Sequence, residues 1–226
     1  MVYKCVVYCS TVARLLAHIY KSLDILSKGH LIETDRSGLV AGYVGQTALK
    51  VKEVTDKALG GILFIDEAYA LSSNKEGWDY GQEAIDTLLK LMEDNRDDLI
   101  VVVAGYTEKM DDFLSSNPGL SSRFNKYLSF DDYTPPQLVS IFESICAKAS
   151  FQLSSAAKEK LEVLFTTLYE NRDETFGNGR LARNLFERTI NNQASRIVSI
   201  ANINEQVLST IEAVDVPDIA NLQGIR

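Results

Sequence analysis

The 226-residue chain lacks the features that define several classes of protein. Its 31 acidic residues outnumber its 23 lysines and arginines, and the net charge of -8 argues against a general nucleic-acid coat, although a local basic patch is compatible with this balance. No apolar run approaches the roughly 20 residues that cross a bilayer, and no secretory signal is recognisable. The three cysteines lack metal-binding spacing, which favours reduced thiols. These absences predict a cytoplasmic protein that binds neither nucleic acid nor membranes directly.

The chain does contain an ordinary balance of 46% apolar and 24% charged residues, enough for one large domain or two small ones. Up to residue 132, segments of helical periodicity alternate with short apolar runs that are typical of buried parallel strands. The helical segments span residues 12–23, 44–59 and 79–93, and the apolar runs are 31–32, 62–65, 99–104 and 127–130. This alternation predicts the α/β class, with a parallel sheet between helices.

The pattern changes after residue 132. Pro135 and Pro136 begin a helix, and apolar residues at helical spacing follow around residues 161–168 and 181–190. No buried strand is recognisable in this region. We therefore predict an α/β domain over residues 1–132 and an all-helical domain over residues 133–226.

The strongest chemical signal is the apolar run that ends in Asp66 and Glu67. Such a run places two carboxylates at the C-terminal edge of a parallel sheet, where open α/β folds bind ligands. The first acid suits Mg²⁺, and the second can orient an attacking water. A strand followed by a solvated acidic turn is the alternative, and this short motif is only moderately specific by itself.

Further motifs stand in order along the chain, and they make the signal more specific. They are the stretches 38–47, 60–69, 79–84, 104–106, 117–124 and 177–184. Together they resemble the AAA+ ATPases, in the branch that contains stage V sporulation protein K and the red-type Rubisco activases, with the former more similar. The resemblance implies a P-loop-NTPase-like sheet with helices on both faces, a small helical lid, ATP and Mg²⁺ as cofactors, and a hexameric ring that remodels a protein client.

The resemblance also implies roles for particular residues of the first domain. Asp66 and Glu67 match the Walker B pair, in which Asp66 binds Mg²⁺ and Glu67 activates water. Arg123 matches the arginine finger, which reaches the γ-phosphate bound by the adjacent subunit; a plain surface arginine is the alternative. Tyr106 stands at the sensor-1 position, where the family often has a small polar residue.

Two further sites follow from the same resemblance. Arg180 or Arg183 matches the sensor-2 arginine of the lid, and we favour Arg180. Tyr43 lies between glycines, where many rings carry an aromatic pore-loop residue that grips a threaded polypeptide; a tyrosine in an ordinary turn is an equal alternative. His18 and His30 stand alone, and we expect structural or solvated roles for them.

The phosphate-binding loop of the family, Gly-x-x-x-x-Gly-Lys-Ser/Thr, has no match in this sequence. Residues 11–17 resemble the helix that follows the loop, with Ser10 near the place of the Mg²⁺-binding hydroxyl and Cys9 near that of the lysine. Residues 6–8 are the candidate for the preceding strand. We interpret the first eleven residues as an altered or misread start on a truncated copy of a longer protein, and a frameshift or a gene-boundary error explains them equally well.

Three hypotheses about function remain open from the sequence. The first is an ATP-hydrolysing remodelling ring, formed by this chain alone or as a mixed ring with full-length relatives. The second is a non-hydrolysing remnant or regulatory subunit that supplies Arg123 to its neighbour. The third is a plain α/β binding domain with an acidic metal site, which leaves the ordered arginine motifs unexplained.

Overall fold

The computed structural model describes residues 2–4, 9–43, 45–72, 80–173, 176–198, 200 and 204–221. The chain divides into two units, Met1–Asp131 and Asp132–Arg226. In the part of the chain that is described, no helix combines the length and the apolar character needed to span a membrane.

A five-stranded sheet is the framework of the first unit. Its strands are β1 (Val2–Lys4), β2 (Leu31–Thr34), β3 (Gly61–Ile65), β4 (Leu99–Gly105) and β5 (Tyr127–Ser129). They are hydrogen-bonded in the order β2-β3-β4-β1-β5, and each neighbouring pair is parallel. Parallel neighbours require crossover connections, which explains why helices separate the strands along the chain. The predicted α/β class is confirmed.

The helices of the first unit are α1 (Cys9–Ser22), α2 (Arg36–Leu39), α3 (Gln46–Ala58), α4 (Tyr80–Asp94), α5 (Thr107–Ser115) and α6 (Pro118–Arg123). Three of them, α1, α3 and α4, correspond to the predicted segments 12–23, 44–59 and 79–93, whereas α2, α5 and α6 were not predicted. The first strand lies at residues 2–4, ahead of the candidate segment 6–8, which falls outside the described residues. Asp79, the predicted first residue of the fourth helix, also falls outside them.

The side chains of β3 and β4 alternate between two cores, as the two-residue period of a strand requires. Leu63, Ile65, Val101 and Val103 lie in the larger core with residues of α3, α4, α5 and α6. Their neighbours along the same strands lie in a smaller core with Ala13 and Ala17 of α1. Both faces of the sheet therefore carry helices, and this accounts for the continuous apolar character of the two strands.

The apolar spacing predicts one buried face for α1, and the structure buries it only in part; the predicted face consists of Val12, Leu15, Leu16, Ile19, Tyr20 and Leu23. Three of these residues, Val12, Leu16 and Tyr20, pack partly buried against the smaller core. Ala13 and Ala17 are buried, whereas Leu15, Ile19 and Leu23 are 59%, 42% and 62% exposed. A helix turns by about 100° per residue, so Leu15 points nearly away from Ala13 and Ala17. Small alanines allow α1 to approach the sheet closely, and the larger apolar side chains of the opposite stripe remain in solvent.

The second unit is mainly helical, as predicted. Its helices are α7 (Pro135–Lys148), α8 (Ser155–Glu170), α9 (Asn178–Val198) and α10 (Glu205–Ser209). A core of edge-to-face aromatic contacts centres on Phe142, whose ring lies 6.4 Å from Phe165 and 5.8 Å from Phe186. The sequence pattern missed one feature, a parallel pair of two-residue strands, β6 (Gln152–Leu153) and β7 (Thr210–Ile211). Two residues are too few to produce a strand periodicity.

A buried ion pair fixes the end of this unit to α9. Asp215 is 1% exposed, and its carboxylate accepts two hydrogen bonds from Arg196, at 2.7 Å from Nε and 2.9 Å from Nη2. The backbone N–H of Glu212 donates a third bond, 2.8 Å long, to the same carboxylate. The carboxylate raises the pKa of Arg196 above its ordinary value, chiefly through the hydrogen bonds. The buried charge is thus fully partnered.

We expect Asp215→Ala to lower the free energy of unfolding by about 3–5 kcal/mol, because removing one partner of a buried pair leaves the other charge uncompensated. Asp218→Ala is the matched control, since Asp218 pairs with Lys160 at 2.7 Å but is 71% exposed. That loss is expected to stay below about 1 kcal/mol. Urea unfolding of both variants measures the difference, and equal losses would contradict the assignment of Asp215 as a stabilising anchor.

Candidate functional site

The C-terminal edge of the sheet brings three of the predicted residues together. Asp66 and Glu67 follow β3 directly, and Tyr106 follows β4. These strands are neighbours in parallel register, with Ile65 opposite Val103. The ladder continues one residue past β3, because the N–H of Asp66 donates to the carbonyl of Thr34 at 2.8 Å. The hydrogen bonds at the end of the sheet therefore fix the position of Asp66, the first of the two acids.

Both carboxylates are exposed to solvent, and the chain turns sharply between them. Glu67 has φ of 47°, in the left-handed region that a side chain rarely adopts. Its N–H donates to Oδ1 of Asp66 at 3.0 Å, and its carbonyl accepts from the N–H of Ala70 at 2.8 Å. A 3₁₀ turn over Ala68–Ser72 follows. This turn directs the chain away from the sheet and leaves two adjacent acids at its edge.

Tyr69 is a member of the site that sequence reasoning missed. Burial, then the negative charge of Glu67 and hydrogen bonding to its side chain, raise the pKa of Tyr69 to about 12. The phenol therefore keeps its proton at neutral pH. A tyrosine in a turn has no spacing signal, and only its place in the stretch 60–69 could have drawn attention to it.

An aromatic and cationic cluster extends the site towards β4. The ring of Tyr106 lies 6.3 Å from that of Tyr69. Nζ of Lys109, in α5, lies 4.9 Å from the ring centre of Tyr69 and 5.4 Å from that of Tyr106. Gly105 makes this packing possible, because a Cβ there would lie 2.7 Å from Cδ1 of Tyr69. Tyr106 thus stands where predicted, and Lys109 adds a cation that the sequence did not reveal.

Arg123 lies apart from the acids, at the end of α6. Asn117 begins this helix, and its Oδ1 accepts from the N–H of Gly119 at 2.8 Å. Nη2 of Arg123 lies 3.5 Å from Oε2 of Glu93, in the last turn of α4. The side chain of Arg123 is 33% exposed, and its Nε is buried with no hydrogen-bond partner among the described residues. Within one subunit, the structure pairs this arginine with a carboxylate.

The lid arginines lie near the start of α9 in the second unit. Asn178, the first residue of α9, is 1% exposed and has φ of 48°. Its side-chain amide donates to Oδ1 of Asp132 at 2.7 Å and accepts from the N–H of Tyr133 at 2.8 Å. These bonds fix the start of the helix and place Arg180 and Arg183 in its first two turns, where both are exposed.

Tyr43 lies in the loop between α2 and α3 and is 73% exposed. An exposed tyrosine is compatible with both the pore-loop role and the ordinary turn. Of the isolated histidines, His18 is exposed, and Nε2 of His30 lies 2.7 Å from the carbonyl of Lys57.

The segment ahead of α1 does not fit the phosphates of a nucleotide, whereas Asp66 and Ser10 carry oxygen atoms of the kind that Mg²⁺ takes as ligands. Ser10 lies in the first turn of α1, and β1 occupies the sheet position between β4 and β5. The ten residues from Met1 to Ser10 contain no glycine, and their one lysine, Lys4, lies within β1. Among the described residues, no group of three or more acidic, histidine or cysteine side chains could hold a metal alone. A Mg²⁺ at this edge would therefore need further ligands, such as phosphate oxygens.

The architecture is that of an ATPase domain of the AAA class with its lid. It combines a parallel sheet of this strand order, two acids after β3 and a helical second unit. The model of the ATPase family associated with various cellular activities (AAA) matches residues 10–132, and that of the AAA lid domain matches residues 134–223. The chain belongs to the AAA family.

Its relatives confirm the predicted branch. Stage V sporulation protein K of Bacillus subtilis (strain 168) is 44% identical over 207 residues, which cover 91% of this chain and 64% of that protein. The chloroplastic ribulose bisphosphate carboxylase/oxygenase activase of Cyanidioschyzon merolae is 42% identical over 211 residues, 92% of this chain and 71% of the activase. The chain therefore spans less than two thirds of the sporulation protein.

Solved structures agree on the fold. The AAA domain of FIGL-1 in complex with ADP aligns with a TM-score of 0.61 at 15% identity, over 95% of this chain and 68% of that one. A mutant of Thermotoga maritima RuvB aligns with a TM-score of 0.57 at 20% identity, over 90% of this chain and 56% of that one. At such low identity, these similarities establish the fold alone.

Proposed function

We propose that this chain is a subunit of a hexameric AAA ring that uses ATP to remodel a protein client. The observation that carries the proposal is the sheet edge where Asp66, Glu67 and Tyr106 come together. The two-unit organisation and the named relatives, one in sporulation and one acting on a carboxylase, support a chaperone-like role. The proposal includes a cytoplasmic location, without direct contacts to nucleic acid or membrane.

Each acid has a distinct part in the proposed reaction. Asp66, as the Walker B aspartate, binds Mg²⁺ together with the hydroxyl of Ser10. Glu67 accepts a hydrogen bond from the attacking water and orients it towards the γ-phosphate. Mg²⁺ supplies charge neutralisation between the phosphate oxygens when it is bound.

The remaining predicted residues act at the subunit boundary, on the lid or in the pore. Arg123 reaches the γ-phosphate held by the neighbouring subunit, where a forked cation stabilises the charge of the transition state. Tyr106 senses the nucleotide from the end of β4, and Arg180, or Arg183, does so from the lid. Tyr43 grips the client with an exposed aromatic ring.

A second candidate function is a non-hydrolysing subunit that works in a mixed ring with full-length relatives. The specific observation in its favour is the composition of residues 1–10, which lack the glycines and the adjacent lysine that cradle phosphates. Such a subunit contributes Arg123 to a neighbour without turning over ATP itself.

Calorimetric titration of the chain with Mg²⁺-ATP separates the two candidates. The second candidate predicts a Kd above about 1 mM, a binding free energy weaker than about -4 kcal/mol, because the chain would lack the cradle of backbone N–H groups and a lysine; the first candidate predicts micromolar binding. A full-length relative whose sequence carries the glycine-rich lysine loop serves as the positive control. Micromolar binding by this chain would contradict the reason given for the second candidate, and phosphate release would then show whether the bound ATP is hydrolysed.

A further inference from the structure

One face of α4 packs along α6 at three successive points. Asp86, Leu89 and Glu93 are spaced three and four residues apart, so they lie on one side of the helix. Oδ1 of Asp86 accepts from Nδ2 of Asn117 at 3.2 Å. Leu89 packs on Gly119, where a Cβ would lie 2.8 Å from Cδ1 of the leucine. Glu93 forms the third contact, with Arg123.

The contacts of Asp86 and Leu89 fix the distance between α4 and α6. They therefore also fix the position of Glu93 relative to Arg123. Gly119 allows the close approach, and Asn117 bonds at the same time to Asp86 and to the first turn of its own helix. The carboxylate of Glu93 is also oriented from its other side, because Oε1 lies 3.3 Å from Nη1 of Arg96. Its second oxygen, Oε2, is the one that faces Arg123.

The contact between Glu93 and Arg123 can orient the guanidinium without using up its hydrogen-bond donors. The distance of 3.5 Å between Nη2 and Oε2 exceeds the roughly 2.7–2.9 Å of a charge-assisted hydrogen bond, and only one nitrogen takes part. Attraction restricts the side chain, while the forked donors of the guanidinium are not consumed by a bidentate contact. The side chain of Arg123 is still 33% exposed, so the guanidinium is held beside Glu93 without being enclosed.

We propose that Glu93 is a positioning residue for Arg123: its carboxylate, fixed on α4, holds the guanidinium in the orientation in which it meets the γ-phosphate of the adjacent subunit. This inference rests on the proposed role of Arg123. It predicts that the charge of Glu93 matters for catalysis at a site to which Glu93 itself contributes no contact.

The test uses mixed rings of this chain with an ATP-hydrolysing full-length relative, with rates expressed per incorporated subunit. Glu93→Gln keeps the size of the side chain and removes its charge. Because a misplaced group costs up to about 10²-fold, we expect the kcat of the neighbours to fall by about 10- to 100-fold. Their KM for ATP is expected to stay within about twofold, since the finger acts chiefly in the transition state.

Asp94→Asn is the matched control, because Asp94 is an exposed acid one residue further along α4, and the described part of the chain shows no contact between it and Arg123. It removes the same charge and should leave kcat unchanged. Thermal unfolding of both variants, which should match the parent, separates positioning from a loss of folding. An equal fall in kcat for both variants would assign the effect to general charge and overturn the proposal.

Arg123→Ala, measured in the same rings, separates failure of the inference from failure of the proposed function. If the kcat of the neighbours falls with Arg123→Ala but not with Glu93→Gln, the proposed role of Glu93 is overturned and Arg123 remains the finger. A higher kcat with Glu93→Gln would show that the carboxylate keeps Arg123 away from its active orientation. This result would also overturn the proposal. No effect of Arg123→Ala would remove both roles.

Discussion

Replacing Arg123 with alanine is expected to lower the ATP turnover of neighbouring subunits by about 10³-fold or more in a mixed ring, the effect typical of an arginine finger. The proposed role outside the subunit is supported by the position of Arg123, which is partly exposed at the end of α6 beside Glu93. A neutral methyl group cannot stabilise the charge that develops on the transferred phosphoryl group. Steady-state ATPase rates of rings with known subunit ratios measure the effect.

Lys126→Ala is the control for this experiment. It removes a positive charge from an exposed residue three positions beyond Arg123, and the turnover of the neighbours should not change. The number of incorporated subunits must be equal for both variants. Turnover that is unaffected by Arg123→Ala in fully assembled rings would exclude Arg123 from the finger role.

Repair of the N-terminal segment is expected to create an active ATPase. Replacing residues 1–10 with a full central strand and a glycine-rich loop ending in Lys-Thr should restore Mg²⁺-dependent hydrolysis. The remainder of the domain offers a place for the new strand: β4 and β5 flank the position that β1 occupies in the sheet, and α1 packs Ala13 and Ala17 against the sheet. Backbone N–H groups of the new loop and its lysine then supply the missing contacts to phosphate.

The control for the repair is the same chain with alanine in place of the new loop lysine. It should fold and assemble but bind ATP poorly, since the loop then lacks its cation. Hydrolysis is followed by phosphate release, with and without Mg²⁺. A repaired chain that folds, assembles and shows no more hydrolysis than the alanine control would count against the assignment of this sheet edge as an ATPase site.

The sheet and its acidic edge could be predicted because their signals are local. The runs over 62–65 and 99–104 are apolar throughout since each strand is covered on both faces, and the acids follow one strand without a gap. The buried face of α1 was predicted only in part, for a related reason. Periodicity identifies an apolar stripe but does not show that the small Ala13 and Ala17 lie against the sheet and that Leu15 does not.

Contacts between distant residues could not be predicted. Lys109 meets Tyr69 only because α5 and the turn after β3 lie side by side. Glu93 meets Arg123 only because α4 packs on α6. No spacing in the sequence encodes these distances. The left-handed backbone at Glu67 is a local feature, yet no pattern in the sequence predicted it.

The most direct measurement for the central claim compares the repaired chain with its Glu67→Gln variant. Glutamine cannot accept a proton from water or polarise it as a carboxylate does, whereas Asp66 and the new loop still hold Mg²⁺ and nucleotide. The account predicts that turnover falls by at least about 10²-fold, the usual contribution of a general base, while ATP remains bound to the variant. Equal hydrolysis by both chains would contradict it, because Glu67 would then not be the catalytic carboxylate.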